Sequence, residues 1–357
     1  MNTLFNVISG DITIGTVTGS GQNFAMETGN NIAGADITAN GAISNIATLA
    51  LDNVGGTATF SGDVDVNALD VDNTVANLAL TGSGSTIATN FTPSNDGTLV
   101  LGDASGDTLT FNGGLTESTT GTVTLSGSIV SSDDTINFGP ITLGADTTIN
   151  SAGGSIVTGN ITGTSGQDIT ISSINGSTNT AIINGTIGAG NNINTITALG
   201  TVGVAFMGNV TTNNAAGNTF SALGSEIVFN NIALDTNAAS NDGNVLLIAD
   251  TVTGTLAADA GAAIFQLTPL TENAVIEAAN ANSGAITENV FYDIDNFGVL
   301  ASVAIIGSSS HTGNIFVGND LAAIDFAQAS NIQIQNSGSG EICLSSFVFL
   351  LFNPIST

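Results

Sequence analysis

Two pairs of aspartates are the first residues in this sequence whose types and spacing could do chemistry. Asp63 and Asp65 are followed by Asp70 and Asp72, and in a strand the two carboxylates of each pair share one face. Ca²⁺ takes about six to eight oxygen ligands, and two such pairs, with asparagines nearby, could supply several. The alternative is a solvated outer face with the intervening valines inside.

A third acidic pair, Asp133 and Asp134, is followed by Asn137. The arrangement resembles the double carboxylate of β-helical polysaccharide hydrolases, and glycosidases need two carboxyl groups at a set separation. Those solenoid enzymes also carry a Gly-His-Gly motif and a basic substrate clamp, and this chain has neither. We therefore favour a turn for these residues, and we interpret Asp293 and Asp295 in the same way.

The sequence contains one histidine, His311, and one cysteine, Cys343. A Ser-His-Asp triad is formally possible, but no nucleophile elbow precedes His311, and a zinc site needs several His or Cys ligands. His311 is therefore predicted to be a polar loop residue. A catalytic thiolate needs an electropositive neighbourhood, so Cys343, in an apolar run, is predicted to be a buried small hydrophobe. We assign no catalytic, cofactor-binding or metal-binding residue from the sequence.

Threonine pairs at alternate positions could form a regular hydroxyl array on a flat face, as in ice-binding β-helices. The pairs are Thr57 with Thr59, Thr108 with Thr110, and Thr122 with Thr124. Their irregular intervals favour instead the ordinary outward-facing threonines of β-strands.

The charge balance of the chain excludes several classes of function. The 357 residues include 29 Asp and Glu, no Lys or Arg, and a net charge of −29. Nucleic-acid binders neutralise phosphates with Lys and Arg, and Walker A loops and protein kinases each need a lysine. These classes are excluded, as is a polybasic membrane-surface helix. Disorder is disfavoured because 42% of the residues are hydrophobic and only 8% are charged.

The elements that must position these side chains follow from a repeated four-residue block, polar–apolar–any–apolar. Its copies begin at residues 48, 57, 77, 98, 108 and 122, at intervals of 9, 20, 21, 10 and 14 residues. Alternation along a strand places Leu109, Phe111, Val123 and Leu125 inward. One turn of a parallel β-helix takes about 20 residues, so the sequence predicts an all-β, single-stack parallel β-solenoid of roughly 15 to 18 turns.

The rhythm of strands and glycine turns weakens along the chain. Residues 1–255 are predicted to form a regular β-solenoid, and residues 256–357 a less regular continuation that ends in an apolar segment. Only residues 257–263 and 273–281 look mildly helical. We expect no transmembrane helix because no apolar stretch reaches 18 residues, and we recognise no signal peptide.

The glycine-bounded runs at 108–114, 121–127 and 159–163 resemble passenger domains of bacterial autotransporters. They are also similar to haemagglutinin-type adhesins and rickettsial-style surface antigens, and the resemblance covers roughly residues 10–255. It implies an elongated right-handed parallel β-helix, an extracellular or bacterial cell-surface location and a role in virulence. On this view the chain is a passenger fragment without signal peptide or barrel, attached in the full-length protein to a C-terminal outer-membrane barrel.

The function expected from the sequence is therefore that of a non-catalytic bacterial cell-surface passenger, a structural stalk or an adhesin. Its host-cell or surface ligand is not identified, and neither nucleic acid nor a cofactor is expected as a partner. One alternative is a β-helical carbohydrate-active enzyme that uses Asp133 and Asp134. Another is a stand-alone Ca²⁺-binding or ice-binding exoprotein that uses the aspartate pairs or the threonine pairs.

Overall fold

The computed structural model describes residues 3–7, 10–29, 32–176, 179–190, 193–213, 217–237, 242–273, 276–278, 290–292, 297–317, 324–325, 330–338 and 340–344. Every regular element in these ranges is a β-strand, and they contain no helix. The all-β class is therefore confirmed.

The described ranges contain 33 strands. They are β1 (Thr3–Asn6), β2 (Ile12–Ile14), β3 (Val17–Glu27), β4 (Ile37–Ala39), β5 (Ile43–Asp52), β6 (Thr57–Phe60), β7 (Val64–Val71), β8 (Asn77–Leu80), β9 (Thr86–Ile87), β10 (Leu99–Leu101), β11 (Thr108–Phe111), β12 (Leu115–Thr116), β13 (Val123–Val130), β14 (Ile136–Asn137), β15 (Ile141–Asn150), β16 (Ile156–Thr158), β17 (Ile161–Gly163), β18 (Gln167–Ser173), β19 (Thr180–Ile183), β20 (Ile193–Gly200), β21 (Gly203–Phe206), β22 (Val210–Thr211), β23 (Asn218–Asp235), β24 (Asn244–Asp259), β25 (Ile264–Thr268), β26 (Ile276–Ala278), β27 (Val290–Tyr292), β28 (Phe297–Leu300), β29 (Val303–Gly307), β30 (Ile315–Val317), β31 (Ile324–Asp325), β32 (Asn331–Gln335) and β33 (Ile342–Leu344).

The strands pair in parallel with strands of the preceding and following turns, which makes the molecule a parallel β-solenoid, as predicted. Each turn contributes strand segments to three ladders. Ladder 1 contains β6, β8 and β10, ladder 2 contains β11 and the second half of β13, and ladder 3 contains β12, β14 and β16. The long strands β13, β15, β23 and β24 bend around corners and join two or three ladders.

One buried column of ladder 1 gives the length of a turn. In register, it contains Ile12, Ile37, Ala58, Leu78, Leu99, Val123, Ile141, Ile161, Ile187, Val210, Leu234 and Ala258. Neighbours in this column are 18 to 26 residues apart, and the solenoid has about 11 turns. The expected 15 to 18 turns were wrong because the corners are longer than a 20-residue turn allows.

The repeated blocks lie where their alternation predicted. Leu109, Phe111, Val123 and Leu125 are at most 1% exposed, and the threonines between them point outward. Inward phenylalanines stack between turns: the rings of Phe91 and Phe111 lie 5.4 Å apart and nearly parallel. The continuous column of inward Ile, Leu, Val and Phe removes apolar surface from water, which is the main stabilising term of the fold.

Glycines occupy corners where the chain passes close to a neighbouring turn. Gly127 has a φ of 73°, and a Cβ built on it would lie 2.5 Å from the carbonyl oxygen of Asp107. Both the left-handed backbone and the close approach require a residue without a side chain. Such corners let β13 turn from ladder 1 into ladder 2 while it stays paired with β15.

The mild helical signals were wrong where the structure describes them. Residues 256–259 end β24 and pair in register with residues 232–235, residue 264 begins β25, and residues 276–278 form β26. Pairing with neighbouring turns outweighs the helix propensity of the alanines. Beyond Ala258 the next member of the buried column is Val299, 41 residues further along the chain. The residues after 344 lie outside the described ranges.

Candidate functional site

The outward positions of the ladders form columns of like side chains, and these are the molecule's most extended surface features. In ladder 2 six consecutive turns place a hydroxyl at the same outward position. This hydroxyl column consists of Thr108, Ser128, Thr148, Thr170, Thr197 and Ser221. All six side chains are partly or fully exposed, and neighbouring turns are about 4.8 Å apart.

A second hydroxyl column lies on ladder 1, around the corner from the first. It contains Thr13, Thr38 and Thr59, is interrupted by Ala79 and Val100, and resumes with Thr124, Thr142 and Thr162. The hydroxyls of Thr142 and Thr162 lie 3.3 Å apart, within hydrogen-bonding distance. The side chains of one column thus support one another along the stack.

The threonine pairs singled out in the sequence do not share one face. Thr59 and Thr124 belong to the outward column of ladder 1, whereas Thr108 and Thr110 lie on ladder 2. Thr110 stacks on Thr86, in a different column from Thr108. The hydroxyls therefore form separate single columns on two sides, and the two-column array expected from the pairs is not assembled.

The aspartate pairs also lie on different sides of the solenoid. Asp65 is exposed on ladder 2 between Ser44 and Thr86, where it lines a shallow groove with Asn67. Asp70 follows a bend and stacks on Ala50. Val64, Val66 and Val71 are at most 5% exposed, as the alternative of a solvated outer face with the valines inside required.

The other two aspartates of these pairs serve turns. The carboxylate of Asp63 accepts a hydrogen bond of 2.9 Å from the amide of Gly84, and that of Asp72 accepts one of 2.8 Å from the amide of Thr74. Among the described residues, no group of three or more His, Cys, Asp and Glu side chains is placed to hold a metal ion.

A column of carboxylates that sequence reasoning missed brings acidic side chains closer together than either pair. Glu27 stacks on Asp52, and Asp72 lies at the same corner one turn further on. Burial, together with the charges of Asp72, Asp70 and Glu27, raises the pKa of Asp52. Their spacing of 25 and 20 residues is close to one turn, so a search for acidic residues at that period would have found the column.

Asp133 and Asp134 lie where the turn interpretation placed them, in the exposed segment between β13 and β14. The hydroxyl of Ser131 donates to the backbone carbonyl of Asp134 at 2.5 Å, which closes the turn. Asn137 is on β14, in register with Thr116 and Val157. Asp293 and Asp295 lie outside the described residues.

His311 lies in the loop between β29 and β30, as predicted, but its side chain is fully buried. Within the described part of the chain, neither ring nitrogen has a hydrogen-bond partner, and burial lowers the pKa of the imidazole. The polar run around it gave no signal of burial. Cys343 lies in β33, where its backbone pairs with Phe316, and its predicted burial stays a prediction.

The outward positions become apolar in the central turns, which sequence reasoning also missed. On ladder 3 the outward column contains Val157, Ile182, Ala205 and Val228, and on ladder 2 an outward column contains Leu199, Leu223 and Ile248. All seven side chains are partly exposed. We call these seven residues the apolar face. The exposed side chain of Met207, two residues beyond Ala205, extends it.

The geometry thus offers long columns of hydroxyls, one corner of carboxylates and one apolar face. No helix long and apolar enough to cross a membrane occurs in the described ranges. Comparison of the chain with protein-family models, with curated proteins and with solved structures finds no match.

Proposed function

We propose that this chain is a non-catalytic contact protein of the bacterial cell surface, a stalk or adhesin that works through its lateral faces. The observation that supports this best is the hydroxyl column, which repeats one polar side chain at one position through six turns. A repeated linear surface suits an extended ligand, whereas catalysis needs different groups gathered at one point.

The chemistry of the hydroxyl column fits an uncharged polar ligand such as a glycan. Each hydroxyl can donate and accept a hydrogen bond, and one such bond contributes only about 0.5–1.5 kcal/mol. Useful affinity therefore depends on several turns binding together. The rigid backbone supports this, because the threonines are already ordered by pairing in the sheet.

The charge of the chain supports an exposed location and a neutral or cationic ligand. With 29 carboxylates and no Lys or Arg, the chain repels polyanions at long range, although salt screens this beyond about 8 Å. The lack of Lys and Arg also leaves no trypsin cleavage site, which suits a protein exposed to proteases.

Adhesion of coated beads tests the proposal. Because the chain has no lysine, amine coupling attaches every molecule to the bead through its N-terminus. The triple variant T148V/T170V/T197V removes three adjacent hydroxyls of the hydroxyl column and keeps β-branched side chains. We expect its adhesion to cultured epithelial cells to fall by about tenfold or more.

The matched control is T124V/T142V/T162V, which removes three hydroxyls from the column on ladder 1 and should adhere like the unmodified chain. The adhesive role is contradicted if beads carrying the unmodified chain adhere no better than beads coated with polyglutamate. The non-catalytic role is contradicted by turnover of a neutral or acidic polysaccharide that Asp134→Asn abolishes.

A further inference from the structure

The apolar face lies in the least charged part of the chain. Between Asp168 and Asp235 the sequence has a single carboxylate, Glu226. Each turn of this region still carries a buried inner column, so the outward aliphatic side chains are not needed to fill the core. Contiguous exposed apolar surface on a β-sheet commonly marks an interaction site.

Two columns on neighbouring ladders make this surface broad. Leu199, Leu223 and Ile248 stack on consecutive turns of ladder 2, with Ser172 and Thr268 as the polar residues that end the column. In the same two turns, Ala205 and Val228 continue the surface beyond the corner on ladder 3. The apolar area therefore has defined ends along the stack.

We propose that this apolar face binds a second copy of the same chain, so that two solenoids associate side by side. A two-fold axis brings the same patch of both copies together, and flat apolar sheet faces pack against each other at about 10 Å. The proposal is independent of what the hydroxyl column contacts.

Charge identifies a second copy as the occupant. Two chains of net charge −29 with no cation can associate only where carboxylates are sparse, because neither copy can supply a counter-charge. The stretch from 169 to 234 is where they are sparse, and its outward side chains at this surface are aliphatic. A partner rich in Lys or Arg is better matched to the acidic turns before residue 169.

Sedimentation equilibrium at physiological ionic strength tests this proposal. We expect the unmodified chain to be dimeric, and we expect L223S/I248S to dissociate with a dissociation constant raised by about 100-fold. The matched control T148S/T170S makes two substitutions to serine on the same ladder but outside the apolar face, and it should dimerise like the unmodified chain. Melting temperatures close to that of the unmodified chain show that both variants fold.

Glu226→Gln distinguishes a second copy from a cationic partner. Glu226 is exposed at the corner between Leu223 and Val228, so two copies bring two such carboxylates toward each other. Removing the charge should tighten the dimer severalfold, whereas it would weaken binding to a cationic surface. Weaker dimerisation of Glu226→Gln would count against the proposal.

Two outcomes overturn it. One is a dimer whose dissociation constant is the same in L223S/I248S as in the unmodified chain. The other is a monomeric chain, and its face is then assigned to a cationic partner if a synthetic Leu- and Lys-containing amphipathic helix binds it and L223S/I248S abolishes that binding.

Discussion

The N-terminal turns and the central turns share one inner surface and differ on the outside. From residue 12 to residue 234 the same ladder 1 column of Ile, Ala, Leu and Val is buried. Outward, one column of ladder 2 contains Thr18, Ser44, Asp65, Thr86 and Thr110 in the N-terminal turns, and Leu199, Leu223 and Ile248 in the central turns. Sixteen carboxylates precede residue 169, and one lies between residues 169 and 234.

The comparison shows that the two faces of each strand are specified separately. Inward residues must fit the turns above and below, because successive turns bury one another's apolar side chains. Outward residues need only tolerate extended backbone, so hydroxyls, carboxylates or aliphatic side chains can occupy the same position. Differences in contact properties can therefore arise along one unbroken stack.

The largest expected effect comes from the inward column in either region. Phe111 stacks on Phe91, and Phe229 stacks on Phe206 with ring centroids 5.6 Å apart. We expect Phe111→Ala and Phe229→Ala each to lower the free energy of unfolding by about 3–5 kcal/mol. Their outward neighbours provide controls: Thr110→Ala and Val228→Ala should cost no more than about 0.5 kcal/mol. Urea denaturation measures all four, and equal losses at inward and outward positions would break the comparison.

A smaller effect is expected at the glycine corners. Gly21 and Gly127 have φ values of 74° and 73°, but only at Gly127 would a Cβ meet a neighbouring turn. Gly21→Ala should therefore cost about 1 kcal/mol for the left-handed backbone alone. Gly127→Ala should cost about 1–3 kcal/mol more because a packed backbone must move. Thermal unfolding of the two variants gives the difference, and an equal loss would mean that the turns are not packed as described.

The smallest expected effect concerns the carboxylates of the N-terminal turns. Because the pKa of Asp52 is raised in the folded chain above its ordinary value of 3.8, the folded state takes up its proton first as the pH falls. The resulting stabilisation is fully present below pH 3.8 and is lost as the pH rises through the raised pKa. We expect Asp52→Asn to raise the melting temperature slightly at pH 7 and to leave it unchanged near pH 3.

His311 acts in the opposite direction and must be separated from Asp52. Because burial lowers its pKa below 6.5, its contribution to stability is complete at neutral pH and is lost as the pH falls below 6.5. Comparing Asp52→Asn with the unmodified chain at each pH cancels this contribution. A melting temperature lowered by Asp52→Asn at pH 7 would contradict the repulsion between the stacked carboxylates.

The sequence was sufficient to predict the fold because the alternation of Leu109 and Phe111 with threonines is local. The number of turns was not predictable from the spacing of blocks, because blocks at 48, 57 and 108 lie on different ladders. An interval between ladders measures a corner, and only an interval within one ladder, such as 57 to 77 to 98, measures a turn.

The surface features were harder to predict because they depend on register between turns. Thr108 meets Ser128, and Leu199 meets Leu223, only after corners of unequal length have been added. The burial of His311 depends on the later turn, whose Ser337 amide donates to the His311 carbonyl at 2.7 Å. Such a contact between distant residues leaves no mark in the local sequence.

The central claim is that outward residues stack in the stated register, and paired cysteines test it most directly. In a chain whose native cysteine is replaced, Cys343→Ala, the pair T148C/T170C occupies register partners on adjacent turns, about 4.8 Å apart and within reach of a disulfide. The control pair T148C/S172C shifts one cysteine by two residues. The account predicts that T148C/T170C oxidises readily and T148C/S172C does not. Oxidation of the shifted pair in preference would contradict the register and the columns built on it.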